Sequence, residues 1–413
     1  MTAVNTIQNK KNITAIVIVA ALGYFVDIYD LLLFSIVREK SLISLGYSGT
    51  ALTSNGLLLL DLQMAGMLVG GILWGVLGDK KGRLTVLFGS ILMYSVANIA
   101  NGFVTTIEGY SFWRIVAGIG LAGELGAGIT LVAEVLPKGK RGIGTTIVAS
   151  IGISGAVVAY FVGEMFEWRT TFFIGGGLGL LLLLLRIGVA ESGMFSHAKQ
   201  SHTSRGNFFA LFTQRRRFVK YLQCILIGVP LWYVVGILIT LSPEFGEVLN
   251  VQGKVNSGAA VAACYAGLVL GDIVSGLISQ VLKSRKKVVY IFLVLNIIAI
   301  ASFFLFNGLS LSMFYSVCFF LGLSVGYWVI FMTVAAEQFG TNIRATVTTT
   351  VPNFVRASVI PLSILFHLLQ NNLGQSFTGA AIWLGGLCIV FAFIALYFMK
   401  ETFSKDLDYV EEL

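Results

Sequence analysis

The sequence predicts an all-α polytopic membrane protein, with twelve transmembrane helices in two pseudo-symmetric six-helix bundles. Three observations carry that expectation. Of 413 residues, 56% are hydrophobic and only 12% charged, where a soluble domain carries about 25% charge. The apolar residues gather in runs long enough for a crossing of roughly 20 residues. A charged motif of the first half also recurs in the second at an almost constant offset. This composition, with a mean hydropathy of +0.87, excludes an ordinary soluble enzyme, a disordered chain and a nucleic-acid binder.

Taken in order, the polar start Met1 to Asn12 leads into a first apolar run over 13–37. That run is longer than the core of a cleaved signal peptide and lacks a small-residue exit, so it is expected to stay as the first span. The next expected spans, 53–77 and 84–104, are separated by the turn Gly75-x-x-x-Asp79-Lys80-x-Gly82-Arg83. Spans 109–135 and 143–164 flank Glu134-x-x-Pro137-x-x-x-Arg141-Gly142, and 168–189 follows. The longest polar stretch, 190–217, divides the chain. It separates an N-terminal bundle (1–189) from a C-terminal bundle (218–413) whose spans are expected at 218–241, 255–282, 288–306, 310–337, 346–369 and 379–399, before a short cytoplasmic tail.

With the N-terminus inside, 21 lysines and arginines fall on cytoplasmic segments and 4 on the other side. That bias predicts a multi-pass protein of the plasma (inner) membrane with both termini cytoplasmic. The formal charge of +8 is read as orientation, so no nucleic acid is expected as a partner; the bilayer is. Cys224, Cys264, Cys318 and Cys388 all lie in apolar runs without metal-ligand spacing, so neither a disulfide nor a metal site is expected.

The halves repeat. Ala133-Glu134, Arg141 and Thr145-Thr146 recur as Ala336-Glu337, Arg344 and Thr348-Thr349, and Gly123 recurs as Gly326, while Gly66, Gly70 and Gly75 recur as Gly267, Gly271 and Gly276. A half-length repeat in one orientation is the arrangement of two parallel bundles around a central cavity. Asp79, Arg83, Glu134, Arg141, Glu337 and Arg344 lie at the cytoplasmic loops, where they are expected to serve packing and gating and not to touch cargo.

These motifs resemble the major facilitator superfamily across essentially the whole chain. The loop Gly75…Asp79…Gly82-Arg83 is similar to its general signature and departs at Leu84, where a basic residue is usual. Glu134-x-x-Pro137-x-x-x-Arg141-Gly142, Trp168-Arg169 and Glu191-Ser192 resemble the sugar-porter and metabolite–proton symporter branches, with Ala190 in place of the usual proline. Tyr29-Asp30 and Gly123-Glu124-x-Gly126 are closer to the metabolite–proton branch. The resemblance implies a carrier that works as a monomer, with spans 1 and 4 lining the cavity and an aspartate–arginine pair there coupling transport to protons.

Charges at bilayer depth persist mainly beside a wet cavity or a partner. Seven are placed there: Asp27, Asp30, Asp61, Arg114, Glu124, Asp272 and Arg356. Asp27 and Asp30 share a helix face. At ~1.5 Å per residue Asp30 and Arg114 come to similar depth. They are either a proton-coupling pair, with Asp27 beside them, or a static tie between two helices. Arg356, four residues after Pro352, is either a clamp for a carboxylate or phosphate or the partner of Asp272 in a structural bridge. Glu124 maps onto Tyr327 in the repeat, and Asp61 either joins the site or lines a water vestibule. Tyr24, Tyr29, Trp232, Tyr233, Tyr327 and Trp328 are the candidate cavity aromatics.

The expected function is not enzymatic. It is secondary active, proton-coupled symport of a small polar organic metabolite, carboxylate-bearing, by alternating access. No cofactor is expected beyond the proton gradient, and the partners are the small-molecule substrate and protons. The alternative is a proton-driven carrier or exporter of a cationic or zwitterionic solute.

Overall fold

The computed structural model describes residues 3–81, 83–126, 128, 148, 151–191 and 208–403. Among these, nine helical stretches are long and apolar enough to cross a membrane: Val17–Ser44, Thr50–Gly78, Trp168–Ile187, Arg215–Ile239, Ser257–Leu282, Arg285–Leu305, Leu311–Gln338, Thr346–Asn371 and Phe377–Phe398. Two shorter apolar helices, Thr85–Asn101 and Ile151–Met165, stand where the third and fifth spans are expected. The expected fourth span is helical from Ile107 and runs partly outside the described residues.

In chain order the helices are α1 (Ala3–Ser44), α2 (Thr50–Lys81), α3 (Arg83–Asn101), α4 (Ile107–Leu121), α5 (Gly155–Met165), α6 (Trp168–Glu191), α7 (Ala210–Thr213), α8 (Arg215–Tyr233), α9 (Ser242–Val248), α10 (Ser257–Leu282), α11 (Arg285–Leu305), α12 (Leu311–Ser324), α13 (Trp328–Gln338), α14 (Thr341–Ala357), α15 (Val359–Asn371) and α16 (Phe377–Phe398). Two edges differ from expectation. α1 continues past residue 37 to Ser44, because Arg38 is buried on it and paired. The polar stretch 190–217 is helical at both margins, with α6 reaching Glu191 and α8 opening at Arg215.

The repeat is visible in the packing. A Cβ added at Gly66 or Gly70 of α2 would strike the backbone of Ile115 or Ile119 in α4. Their counterparts Gly267 and Gly271 of α10 stand against the backbone of Phe319 and Leu323 in α12 in the same way. Close backbone approach through small residues holds apolar helices together where lipid tails offer no hydrophobic drive. Gly322 is the tightest case: its added Cβ would lie 2.6 Å from the carbonyl carbon of Cys264. Gly322→Val should therefore force α10 and α12 apart, at a cost of about 1–3 kcal/mol or more. A clear drop in the thermal unfolding temperature in detergent is expected, whereas Gly386→Ala, which meets nothing within 4 Å, should leave it unchanged.

The two halves meet along α2 and α14 and along α1, α5 and α10. On α14, Asn353 Nδ2 donates to Ala122 O at 3.0 Å, and Gly71 of α2 makes room for the Asn353 side chain.

Candidate functional site

Three helices of the second half lose regular geometry at one place. α8 contains Pro230, which cannot donate a backbone hydrogen bond, and passes into a π-helical stretch at Val234–Ile239. The tenth expected span breaks between α12 and α13 around Gly326 and Tyr327. The eleventh breaks at Ser358, between α14 and α15, six residues after Pro352. Irregular backbone at membrane depth is tolerated where it borders a cavity or is enclosed by protein, and broken helices commonly frame a carrier's binding site. Trp232, Trp328 and Arg356 sit at these three interruptions, and all three line one cavity with Tyr24, Ile28 and Tyr265. From the first half, α1 supplies Tyr24, Ile28 and Leu31 to its wall, and Ile153, just before α5, completes it.

Arg356 is the charged group among the described lining residues. It is 1% exposed, and its Nη2 lies 3.8 Å from Asp27 Oδ2 across the two halves. Nη1 donates to Asn353 Oδ1 at 3.4 Å, and the guanidinium stands 5.9 Å over the Trp328 ring. The alternative bridge to Asp272 is not formed. Asp272 instead accepts from the Val329 backbone N–H at 3.1 Å, which puts it at the N-terminus of α13, where a carboxylate is favoured by the orphan amides and the helix dipole.

Only some candidate aromatics reach the cavity. Tyr24, Trp232 and Trp328 line it. Tyr29 donates to Thr171 O at 3.1 Å, Tyr233 to Ala381 O at 2.7 Å and Tyr327 to Ile227 O at 2.8 Å. Those three phenols tie helices together, as a buried hydroxyl must find an acceptor.

Asp30 and Arg114 are both fully buried, yet they form no ion pair. Arg114 donates to Gln63 Oε1 and lies 4.5 Å over the Phe34 ring. Both Asp30 oxygens lack a donor within the protein. Glu124 is held by Arg186, a residue the sequence reading passed over: Nη1 donates to Oε2 at 2.9 Å and Nη2 to Oε1. A lone arginine at bilayer depth in the sixth expected span was the available signal. Asp61 accepts from Ser363 Oγ at 2.7 and 2.6 Å, linking α2 to α15.

Of the expected gating residues, Glu134 and Arg141 lie outside the described residues, and Asp79 and Arg83 stand at the facing ends of α2 and α3. Glu337 pairs with Arg285 at 3.4 Å, and Arg344 Nε donates to Ala336 O and Phe339 O. Nearby, Glu401 caps α11 by accepting from Ser284 Oγ and the backbone N–H of Arg285 and Lys286. Burial alone would raise the Glu401 carboxyl, but these donors and the amides of Thr402 and Phe403 hold it below its usual value.

At the opposite end, Arg38 of α1 donates to both oxygens of Glu244 in α9 at 2.8 Å, and Thr53 adds a third bond at 3.1 Å. Lys40 and Asn256 converge on Glu164 Oε1 at 2.9 and 3.0 Å. Lys254 pairs with Glu39 at 2.7 Å, and that hydrogen bond, with Glu39's charge, raises the ammonium above its usual value.

A family profile described as the Major Facilitator Superfamily matches residues 14–363. The chain belongs to the major facilitator superfamily. Similar proteins include a probable 4-methylmuconolactone transporter of Cupriavidus pinatubonensis, 25% identical over 92% of this chain and 89% of the relative. The 3-(3-hydroxy-phenyl)propionate transporter of Escherichia coli is 26% identical over 68% and 69%. Among solved structures, the proton:xylose symporter XylE bound to 6-bromo-6-deoxy-D-glucose shares the fold with a TM-score of 0.71 at 15% identity, covering 97% of this chain and 98% of that one. As a major facilitator protein with many apolar helices, the chain is a multi-pass membrane transporter.

Proposed function

We propose that this transporter is a proton-coupled symporter for a small flat monocarboxylate, working by alternating access between bundles 1–189 and 218–413, with the 190–217 linker and both termini cytoplasmic. The carrying observation is the Arg356–Asp27 contact of 3.8 Å between halves, at the wall of an aromatic cavity. Arg356 is a planar, permanent cation suited to a carboxylate. Asp27 already competes for it. A proton on Asp27 releases the guanidinium, and a cargo carboxylate takes its place, so one proton and one anion load together and the site stays neutral. Asp30, without a donor of its own, is the second proton-binding group on that helix face.

The cavity walls argue for an apolar, ring-like body. Tyr24, Trp232, Tyr265 and Trp328 offer faces for stacking, and the remaining lining residues are aliphatic apart from Arg356. Relatives named for 3-(3-hydroxy-phenyl)propionate and 4-methylmuconolactone support a compact cyclic cargo. The cationic-solute alternative is disfavoured, since the charge lining the cavity is positive. The protein is taken to act as a monomer, because cavity and ion pair are complete within one chain.

The test is uptake of radiolabelled 3-(3-hydroxyphenyl)propionate into proteoliposomes, with protein-free vesicles subtracted. One proton per anion sets a limit of roughly tenfold accumulation per pH unit of inward gradient. Accumulation that collapses with a protonophore is expected; uptake indifferent to the gradient would refute symport.

A further inference from the structure

Apart from the cargo cavity, the first half encloses a second set of buried polar groups between α1, α3, α4 and α6. On α1, Asp30, Asp27 and Gly23 follow one another at spacings of three and four, and so lie on one face. On α6, Gly175, Gly179 and Arg186 span eleven residues, close to three full turns, and also share a face. The two faces meet in register. A Cβ added at Gly175 would strike Asp30 Oδ1, and one at Gly179 would lie 3.1 Å from the Tyr94 ring. One at Gly23 would fall on Arg186 Nη2 and Glu124 Oε1. The three glycines thus make the space that the Asp30 carboxyl, the Ser95 hydroxyl with the Tyr94 ring edge, and the Arg186–Glu124 pair occupy in turn.

Tyr94 of α3 joins them. It is fully buried, its hydroxyl has no hydrogen-bond partner, its ring lies beside Gly179 of α6 and its backbone packs against Gly120 of α4. Asn98, one turn further along α3, is buried beside Asp30. Buried polar groups of this kind are normally satisfied, and a file of them between four helices needs a reason. Among the described residues the surrounding charged groups are Asp27 and Asp30 from α1, Glu124 just beyond α4 and Arg186 from α6, with Arg114 bonded to Gln63 and Arg356 reaching Asp27 from the second half.

We propose that the proton travels within the first bundle, from Asp30 by way of the Tyr94 hydroxyl to the Glu124 carboxylate, which Arg186 holds at the cytoplasmic end, separately from the cargo path between the halves. The proposal rests on the symport reading above. In the transfer, the O–H bond of protonated Asp30 breaks as the Tyr94 oxygen takes its proton, and the phenol's own proton passes to the Glu124 carboxylate. Arg186, displaced from a neutralised Glu124, keeps Leu87 O as an acceptor at 3.2 Å. Return of the Arg186–Glu124 pair expels the proton.

The competing reading is a static tie between α4 and α6, and paired neutral substitution separates the two. Glu124→Gln with Arg186→Gln removes both charges, so neither is left buried alone. In proteoliposomes with radiolabelled 3-(3-hydroxyphenyl)propionate, the double variant should retain counterflow exchange at equal pH while gradient-driven accumulation falls about 100-fold, the scale of a lost proton-transfer group. Tyr94→Phe, which removes one oxygen, should slow accumulation about tenfold and leave exchange in place. Wild-type accumulation in the double variant overturns the proposal; should that variant fail to fold, wild-type accumulation in Tyr94→Phe overturns it. If the unsubstituted protein shows no gradient-driven uptake, symport itself has failed. Proton binding by Glu124 is then read from the pH-difference infrared spectrum of the purified protein, where loss of a protonated-carboxyl band on substitution supports the site and an unchanged spectrum rejects it.

Discussion

Arg356→Ala should weaken binding of 3-(3-hydroxyphenyl)propionate by about 100-fold or more, the scale of 2–5 kcal/mol expected when one partner of a buried charge pair is truncated. Asp27→Asn should do the opposite and tighten it. The opposed signs follow from the geometry. Arg356 faces the cavity and touches Asp27, so cargo and Asp27 compete for one guanidinium. Removing the cation removes the site; neutralising the competitor vacates it. Binding by the wild type should strengthen as pH falls, because protonated Asp27 gives up Arg356, and Asp27→Asn should flatten that dependence. Trp232 and Trp328 line the cavity, so quenching of intrinsic fluorescence reports all three titrations. The neutral amide of the same acid serves as control. If Arg356→Ala weakens acid and amide equally, Arg356 is a tie to Asp27 and not a clamp, and a cargo cation becomes the better reading.

Several features of the fold around this cavity are legible in the sequence. Among the described residues, apolar runs locate most of the helices, because bilayer thickness sets the length of a crossing, although α1 runs on to Ser44. The repeated glycines Gly66/Gly267 and Gly70/Gly271 turn out to be the places where paired helices touch. Prolines at 230 and 352 point to the interruptions that bear Trp232 and Arg356. Partnership was harder. Rise per residue gives the height of Asp30 and Arg114 but not the direction each faces around its helix, and Arg114 turns to Gln63 and Phe34. Arg356 could be paired from sequence only with an acid of its own half, Asp272. The structure pairs it with Asp27 of the other half, a contact that exists only because the bundles close on each other. Tyr29, Tyr233 and Tyr327 were plausible cavity residues by composition, and each spends its hydroxyl on a neighbouring helix. The pairing of Glu244 is hidden for a different reason: it meets Arg38 only where α9 of the second half packs on α1 of the first.

That pairing gives the second large expectation. Glu244→Ala should shift the transporter toward a state open at the outer face, on the proposed topology. Glu244 joins α9 to α1 and α2 through Arg38 and Thr53. Arg38 is 1% exposed and Glu244 18% exposed, so the pair, in which Nη2 serves both carboxylate oxygens, is largely removed from water, where removing one partner is strongly destabilising, by about 3–5 kcal/mol. The closed state alone bears that penalty, since parting of the halves lets water reach the Arg38 guanidinium. A bias of about 3 kcal/mol is more than 100-fold in population. The neighbouring Lys254–Glu39 pair crosses the same boundary, but Lys254 is 80% exposed, and such pairs contribute little. Lys254→Ala should therefore leave the equilibrium almost unmoved and serves as the control. Spin labels at Ser48, between α1 and α2, and at Val248, in α9, report the separation across the outer face. A longer distance in Glu244→Ala, unchanged in Lys254→Ala and restored by the conservative Glu244→Asp, is the expected pattern. If Glu244→Ala keeps the wild-type distance, the outer face is held shut by apolar packing and Ser35–Thr240 contacts, and the buried arginine is only a companion to that closure.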